Sequence, residues 1–425
     1  MKTLESQKIK VHIRYISWLV YLLPLALITG PFISDLFVSI IAIHYIFFSI
    51  KEKLWKDYNN IFIYLFFIFY FYILSRSILS ESPYLSLESS LFYFRYIFFV
   101  MGISYLVKNN FFFIDNLFKS FLIIFFALIF DAYIQFFFGK NIFGWPVLYQ
   151  ESTIRISGLF YDEYVLGNYI ARIMPIIFGI FFLINNQKKY SFILAILFIL
   201  SIILTLLTGD RTGFFLYLLS TATIATLVRG FFLQKLILLF ISLITIFCIL
   251  MFNSTIKERV LNLTLNQIAV QEDHQYIFTP AHDAYFRSSL LMIEDNFLFG
   301  HGPKMYRELC KKEIYKKTYF KKDNCSTHPH NTYIQLLLET GFIGFMFVLS
   351  LFAYIAISYS KHLFITIFST SNRNLILTNA EICFFAAIFV SLWPLAPTLN
   401  FFNNWISIIY YIPFGFILYK FDLKI

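Results

Sequence analysis

The densest concentration of chemistry in this sequence is the run His328-Pro329-His330-Asn331, followed by nine residues, Gly341, two more residues and Gly344. Pro329 disfavours helix before it, and Asn331 suits the N-cap of the apolar stretch that follows. His330 then stands at the mouth of a helix, beside N–H groups that lack intrahelical partners, where anions are favoured. An imidazole titrating near neutrality can act there as a general base or hydrogen-bond a phosphate, or it can simply cap a helix. The two glycines leave one helix face bare, which permits close helix contact.

Two arginines offer matching chemistry. Arg211, in Thr208-Gly209-Asp210-Arg211-Thr212-Gly213, opens an apolar stretch. Its guanidinium can grip a phosphate in a fork next to helix N–H groups, snorkel to an interface, or pair with Asp210. Arg287 falls in a stretch expected to be helical from Asp283, as N-cap, towards Asn296, with Gly300 and Gly302 as breakers. A lone arginine on such a helix reads as a solvated surface charge. Asp162 and Glu163 precede another apolar stretch, where acidic residues suit a helix start and can also serve an acceptor.

Among the ionisable residues of the apolar stretches, Arg95, Asp131, Arg172 and Glu339 stand out by their depth. By rise per residue all four lie roughly 10–13 Å below one common interface. Two cations and two anions in one layer predict a charge-balanced network, either the floor of a polar cavity or glue between helices. His282, His301, His328, His330, Cys310 and Cys325 share one polar segment, but no pair has the tight spacing of a zinc site, so no metal is expected. Cys310 and Cys325 are candidates for a disulfide.

The elements that must hold these residues are membrane helices. Hydrophobic residues make up 59% of the 425 and charged residues 14%, too little charge for a soluble surface. Twelve stretches approach the roughly 20 apolar residues of a span: about 15–30, 32–50, 60–78, 89–107, 112–138, 164–184, 191–208, 210–228, 231–252, 331–358, 378–398 and 401–419. None shows the alternation of barrel strands. Lysine and arginine concentrate in alternate short loops, among them Lys51, Lys53, Lys56, Lys188, Lys189 and Arg229, which puts both termini in the cytoplasm. The net charge of +10 thus reports membrane anchoring. Residues 1–252 hold nine spans, 253–330 form a large helical loop on the far side, and 331–425 hold three more. The basic run from Lys304 to Lys322 lies in that loop; it suits anionic headgroups or a solvated helix. There is no Walker A motif for an ATP-driven pump.

These residues resemble the bacterial O-antigen ligase and O-antigen polymerase superfamily. The carrying motif is His330-Asn331, nine residues, Gly341 and Gly344, preceded by an arginine in a short turn (Arg211) and by Arg287 with Gly300-His301-Gly302-Pro303 in a long loop. The resemblance implies an all-α, GT-C-like enzyme of the bacterial inner membrane, needing neither cofactor nor metal. It would move a glycan from undecaprenyl pyrophosphate to a hydroxyl in the periplasm. It implies His330, Arg211 and Arg287 as catalytic residues, and Asn331, Arg155, Glu163, Arg172, His328, Gly302 and Tyr306 as substrate contacts. A ligase would deliver the chain to lipid A–core, a polymerase to another lipid-linked repeat. The competing reading is a flippase or transporter of the lipid-linked oligosaccharide, which would need a charged path reaching both faces.

Overall fold

The computed structural model describes residues 13–110, 112–150, 153–268, 279–315, 325–368 and 377–421. Hydrocarbon offers the backbone no hydrogen bonds, so apolar stretches must satisfy their own N–H and C=O groups. All twelve stretches do so as helix. Among the described residues seven helices are long and apolar enough to cross a membrane: Pro31–Lys51, Ile61–Ile78, Pro83–Asn109, Phe113–Phe138, Gln187–Leu207, Phe232–Phe252 and Thr332–Phe368. Leu166–Phe181, Asn379–Ser391 and Asn404–Leu418 are shorter apolar helices. The chain is a mostly helical, multi-pass membrane protein. The one sheet among the described residues is a small hairpin pairing Leu148–Gln150 with Thr153–Arg155.

A large apolar core joins helices from Ile16 to Leu418. A second cluster packs Met292, Ile293, Met305, Tyr306 and Leu309 of the long polar segment onto Leu338. The polar segment is therefore seated on the helix that begins after Asn331. Basic residues help to hold it. Arg76 donates to the Gly300 carbonyl at 2.8 Å, Lys304 pairs with Glu88 at 2.8 Å, and Lys312 pairs with Glu81. The part of the basic run expected to meet anions is thus engaged by Glu88 of the helix Pro83–Ser90 at Lys304 and by Glu81, in the turn before that helix, at Lys312, while Lys311 pairs with Glu308. Lys316, Lys317, Lys321 and Lys322 lie outside the described residues.

Three expectations are corrected. The helix Pro280–Asp295 is capped by Thr279, whose hydroxyl accepts from the His282 N–H, with Pro280 in the first turn. Asp283 lies inside that turn instead of capping it, because proline at the first position presets the helical φ one residue after the threonine. The Gly341–Gly344 pair does not mark a bare face on a continuous helix. Gly341 has φ +63° and breaks Thr332–Phe368 in two. Backbone from the 297–302 segment docks into the break: Phe342 N–H donates to Phe297 O at 2.8 Å, His301 N–H to Leu338 O at 2.9 Å and Gly302 N–H to Glu339 O at 2.7 Å. A Cβ on Gly341 would lie 2.4 Å from the Leu298 carbonyl oxygen. Only glycine meets both demands.

The buried layer is not a network either. Arg95 pairs with Asp35 at 2.7 Å, Arg172 donates to the Asn168 side chain and carbonyl, Asp131 accepts from the Ile142 N–H at 3.0 Å, and Glu339 accepts from Gln335 at 2.9 Å. Each charge finds local polar partners, which removes the need to bring distant helices into one charge array.

Candidate active site

Polar groups meet at one end of the bundle, where the 139–165 segment, the 208–211 turn, the long polar segment and the 392–403 loop come together. Asn331 does cap the helix: its side-chain oxygen accepts from the Tyr333 and Ile334 N–H groups at 3.0 and 3.1 Å, while its amide donates to Pro394 O at 2.9 Å. His330 just before it has φ +57°, a left-handed conformation that turns the chain sharply, and its carbonyl accepts from the Thr398 N–H at 2.8 Å. The backbone around the imidazole is thereby fixed from both sides.

The His330 ring lies among other rings. It stacks on Tyr285 with centroids 5.5 Å apart, meets His282 edge to face at 5.5 Å and lies 4.1 Å from His328. Ser326 Oγ is 3.4 Å from its Nε2. His328 is buried, with Nε2 at 3.2 Å from Thr398 O and Nδ1 at 3.0 Å from Thr327 Oγ1. Burial lowers all three histidine pKa values. Burial and then the neighbouring His330 push His328 down to about 3. Burial, then His330 and Arg211, hold His282 at about 4. The three imidazoles are therefore neutral near pH 7.

Arg211 is the first residue of the helix Arg211–Leu227 and donates to Thr264 Oγ1 at 3.1 Å. Asp210 does not simply neutralise it. One Asp210 oxygen caps the helix by accepting from the Gly213 N–H at 2.9 Å, and the other accepts from Asn168 N–H at 3.0 Å and Asn168 Nδ2 at 2.6 Å. Since Asn168 also binds Arg172, a polar chain runs from the 208–211 turn to that buried guanidinium. Arg155, from the hairpin, is buried, donates to Thr208 O at 3.0 Å and covers the Tyr164 ring at 4.7 Å. Burial lowers its pKa; Asp210 opposes that shift, and Arg259 and Arg211 add to it. Arg259 is also buried, on the π-helical turn Glu258–Asn262, with Nε 3.5 Å from Gly209 O. Three guanidiniums surround one turn.

The other candidates fall elsewhere. Arg287 is half-exposed and donates to Asp283 at 2.6 Å, one helical turn back. It shares a helix with His282 and Tyr285, and those two rings make the contact with His330. Glu163 is exposed. Gly302 packs against Ser80, where a Cβ would come within 2.7 Å, and fully buried Tyr306 donates its N–H to Glu339 at 3.5 Å; both are built into the brace that holds the polar segment. Cys310 and Cys325 are bridged, with Cα atoms 5.2 Å apart, tying that brace to the strand of chain that leads into His328 and His330. Among the described residues no group of three or more His, Cys, Asp or Glu is arranged to hold a metal. Sequence reasoning passed over Tyr285 and Arg259, and weighed His282 only as a metal ligand; ring stacking and a π turn leave no spacing signal.

Residues 196–349 match a family model described as O-antigen ligase. This part of the chain is thus similar to the O-antigen ligase family. The matched stretch takes in Arg211, Arg259, His282, Arg287, His330, Asn331, Gly341 and Gly344, and leaves Arg155 and Arg172 outside. The chain is also 26% identical over 176 residues to a protein of Haemophilus influenzae described as uncharacterized, an alignment covering 40% of this chain and 44% of that relative. The aligned part thus spans under half of the relative's length.

Proposed function

We propose that this protein is an O-antigen ligase of the bacterial inner membrane, transferring a glycan from undecaprenyl pyrophosphate to a hydroxyl of lipid A–core on the periplasmic face. The observation that carries the reading is the meeting of His330 with the Arg211 end of the bundle: His282 touches the first ring and feels the charge of the second group. With both termini cytoplasmic, as the lysine and arginine distribution requires, this end faces the periplasm.

The chemistry follows from what each group can do. Neutral His330 takes the proton of the acceptor hydroxyl as its oxygen bonds to the anomeric carbon. The bond from that carbon to the phosphate oxygen breaks, and the undecaprenyl pyrophosphate leaves with the electron pair. Negative charge grows on the leaving oxygen, and fixed guanidiniums lower the barrier most where that charge develops. Arg211 supplies the direct contact; buried Arg155 and Arg259 raise the local positive potential; Arg287 guides the headgroup at the rim. No metal is required for this charge balance, because the arginines provide it. The one-ended clustering of these groups also favours an enzyme over a flippase.

Deleting the gene and analysing glycans tests the proposal. A ligase leaves lipid-linked polymer that is never attached to lipid A–core; a polymerase leaves single repeats attached to it. Unchanged surface glycan in the deletion strain would remove both readings.

A further inference from the structure

The helix Pro280–Asp295 presents two basic side chains of different fates. Arg287 turns to Asp283 on its own helix. His282, in the first turn, meets His330 edge to face with ring centroids 5.5 Å apart and lies close enough to Arg211 to respond to its charge. Its position is well defined. Thr279 Oγ1 accepts the His282 N–H at 3.3 Å and lies 2.7 Å from Nδ1. A hydroxyl that accepts from the backbone has its own proton to give, and giving it to Nδ1 leaves the ring proton on Nε2. The neutral ring is then a hydrogen-bond donor between the proposed base and the proposed phosphate clamp.

We propose that His282 is a catalytic residue of this site, one that binds the diphosphate of the lipid-linked donor together with Arg211 and takes up a proton as the donor arrives. This rests on the transfer reaction proposed above. The groups facing His282 explain the coupling. His330 and His328 approach it from the 325–331 segment, Arg211 from the 208–211 turn, and Tyr285 from its own helix; Arg307 acts on His328. Burial and then these neighbours disfavour the imidazolium. A doubly anionic diphosphate reverses the sign of the local field and favours it. Binding and protonation are then linked, so donor affinity rises as pH falls. A diphosphate esterified at both ends has no proton to lose between about pH 5 and 8, so a slope in that range belongs to the protein. His330, acting as base, makes the opposite contribution: its protonation at low pH depresses kcat.

The test is steady-state transfer by the full-length protein in detergent, with purified undecaprenyl-pyrophosphate-linked glycan as donor, from pH 5.5 to 8. For the wild type, the donor KM falls with decreasing pH, approaching tenfold per unit where one proton is taken up. In His282→Gln the KM rises by about tenfold at pH 6 and loses its pH slope, while kcat keeps the acid limb set by His330. In His282→Arg a permanent charge returns KM to within about threefold of wild type, again without slope. Melting temperature in detergent confirms that each variant is folded. His282→Gln with a wild-type KM and slope overturns the assignment, as does His282→Arg that is folded yet as weak as His282→Gln. If the wild type itself transfers nothing from this donor, the proposed function falls instead.

Discussion

Inside the helices, ionisable groups are dispersed and locally answered: Arg95 by Asp35, Arg172 by Asn168, Asp131 by Asn141 and the Ile142 N–H, Glu339 by Gln335. At the mouth of the bundle the pattern inverts. The His330 imidazole touches those of His282 and His328, and the guanidiniums of Arg155, Arg211 and Arg259 gather at the 208–211 turn. Burial first, and basic neighbours after it, disfavour protonation here and lower the pKa values of His328, His282 and Arg155. Such crowding opposes stability, whereas the interior arrangement serves it. The contrast separates groups that hold the bundle together from a basic cluster at its mouth, which on the proposed function meets the diphosphate of the donor.

The contrast breaks most sharply under substitution of the two central groups. His330→Ala and Arg211→Ala each lower transfer by at least roughly 100-fold, with protein level and lipid-linked donor unchanged. Full transfer by either variant in a complemented deletion strain would show that the mouth is scaffolding too. Gly341→Ala acts on the other side of the comparison. It meets both a left-handed φ and the Leu298 carbonyl, so folded protein recovered from membranes drops several-fold. Wild-type yield of a monodisperse protein would show that the break can straighten.

Smaller effects sharpen the picture. Asp35→Asn removes the charge that answers Arg95, leaving the guanidinium to neutral partners such as the Phe92 carbonyl and the Tyr96 hydroxyl, and lowers the melting temperature, yet transfer per folded molecule stays within about twofold of wild type. A larger loss of turnover would move Arg95 from framework to mechanism. Arg287→Ala costs transfer about threefold to tenfold, less than Arg211→Ala, since its guanidinium is half-exposed and engaged by Asp283. Equal losses would put Arg287 on the phosphate itself. The mildest effect is on pH. His282 and His328 bind protons in the unfolded chain near pH 6.5 but in the folded chain only near 4 and 3. Stability is therefore complete above about pH 6.5 and declines as pH falls towards those values. His328→Asn shows a shallower decline in melting temperature; an unchanged one would assign the pH dependence to other groups.

Much of this was readable from the chain. Apolar length found the helices, because hydrocarbon leaves the backbone no alternative, and helix-mouth chemistry picked out Asn331, His330 and Arg211. Partnerships across helices were hidden. Asp35 answers Arg95 because of how two helices are rotated, which a span boundary does not encode. The Leu148–Arg155 hairpin has strands of three residues, too short to show alternation. A glycine that breaks a helix and one that lets helices touch are the same letter, so Gly341 was read by its spacing to Gly344. His282 matched no metal spacing, and its importance comes from the fold that brings His330 and Arg211 to it.

The break at Gly341 also works as a measuring rod. Residues 332–340 form an unbroken helix whose lower end is clamped by Phe297–Gly302 and whose upper end is the Asn331 cap. At 1.5 Å per residue the two fixtures are about 14 Å apart. One residue more or fewer between them would swing His330 about 100° around the axis, away from His282 and Tyr285. The interval of nine residues is thus a tolerance on where the imidazole points, enforced from a distance by a carbonyl it never touches.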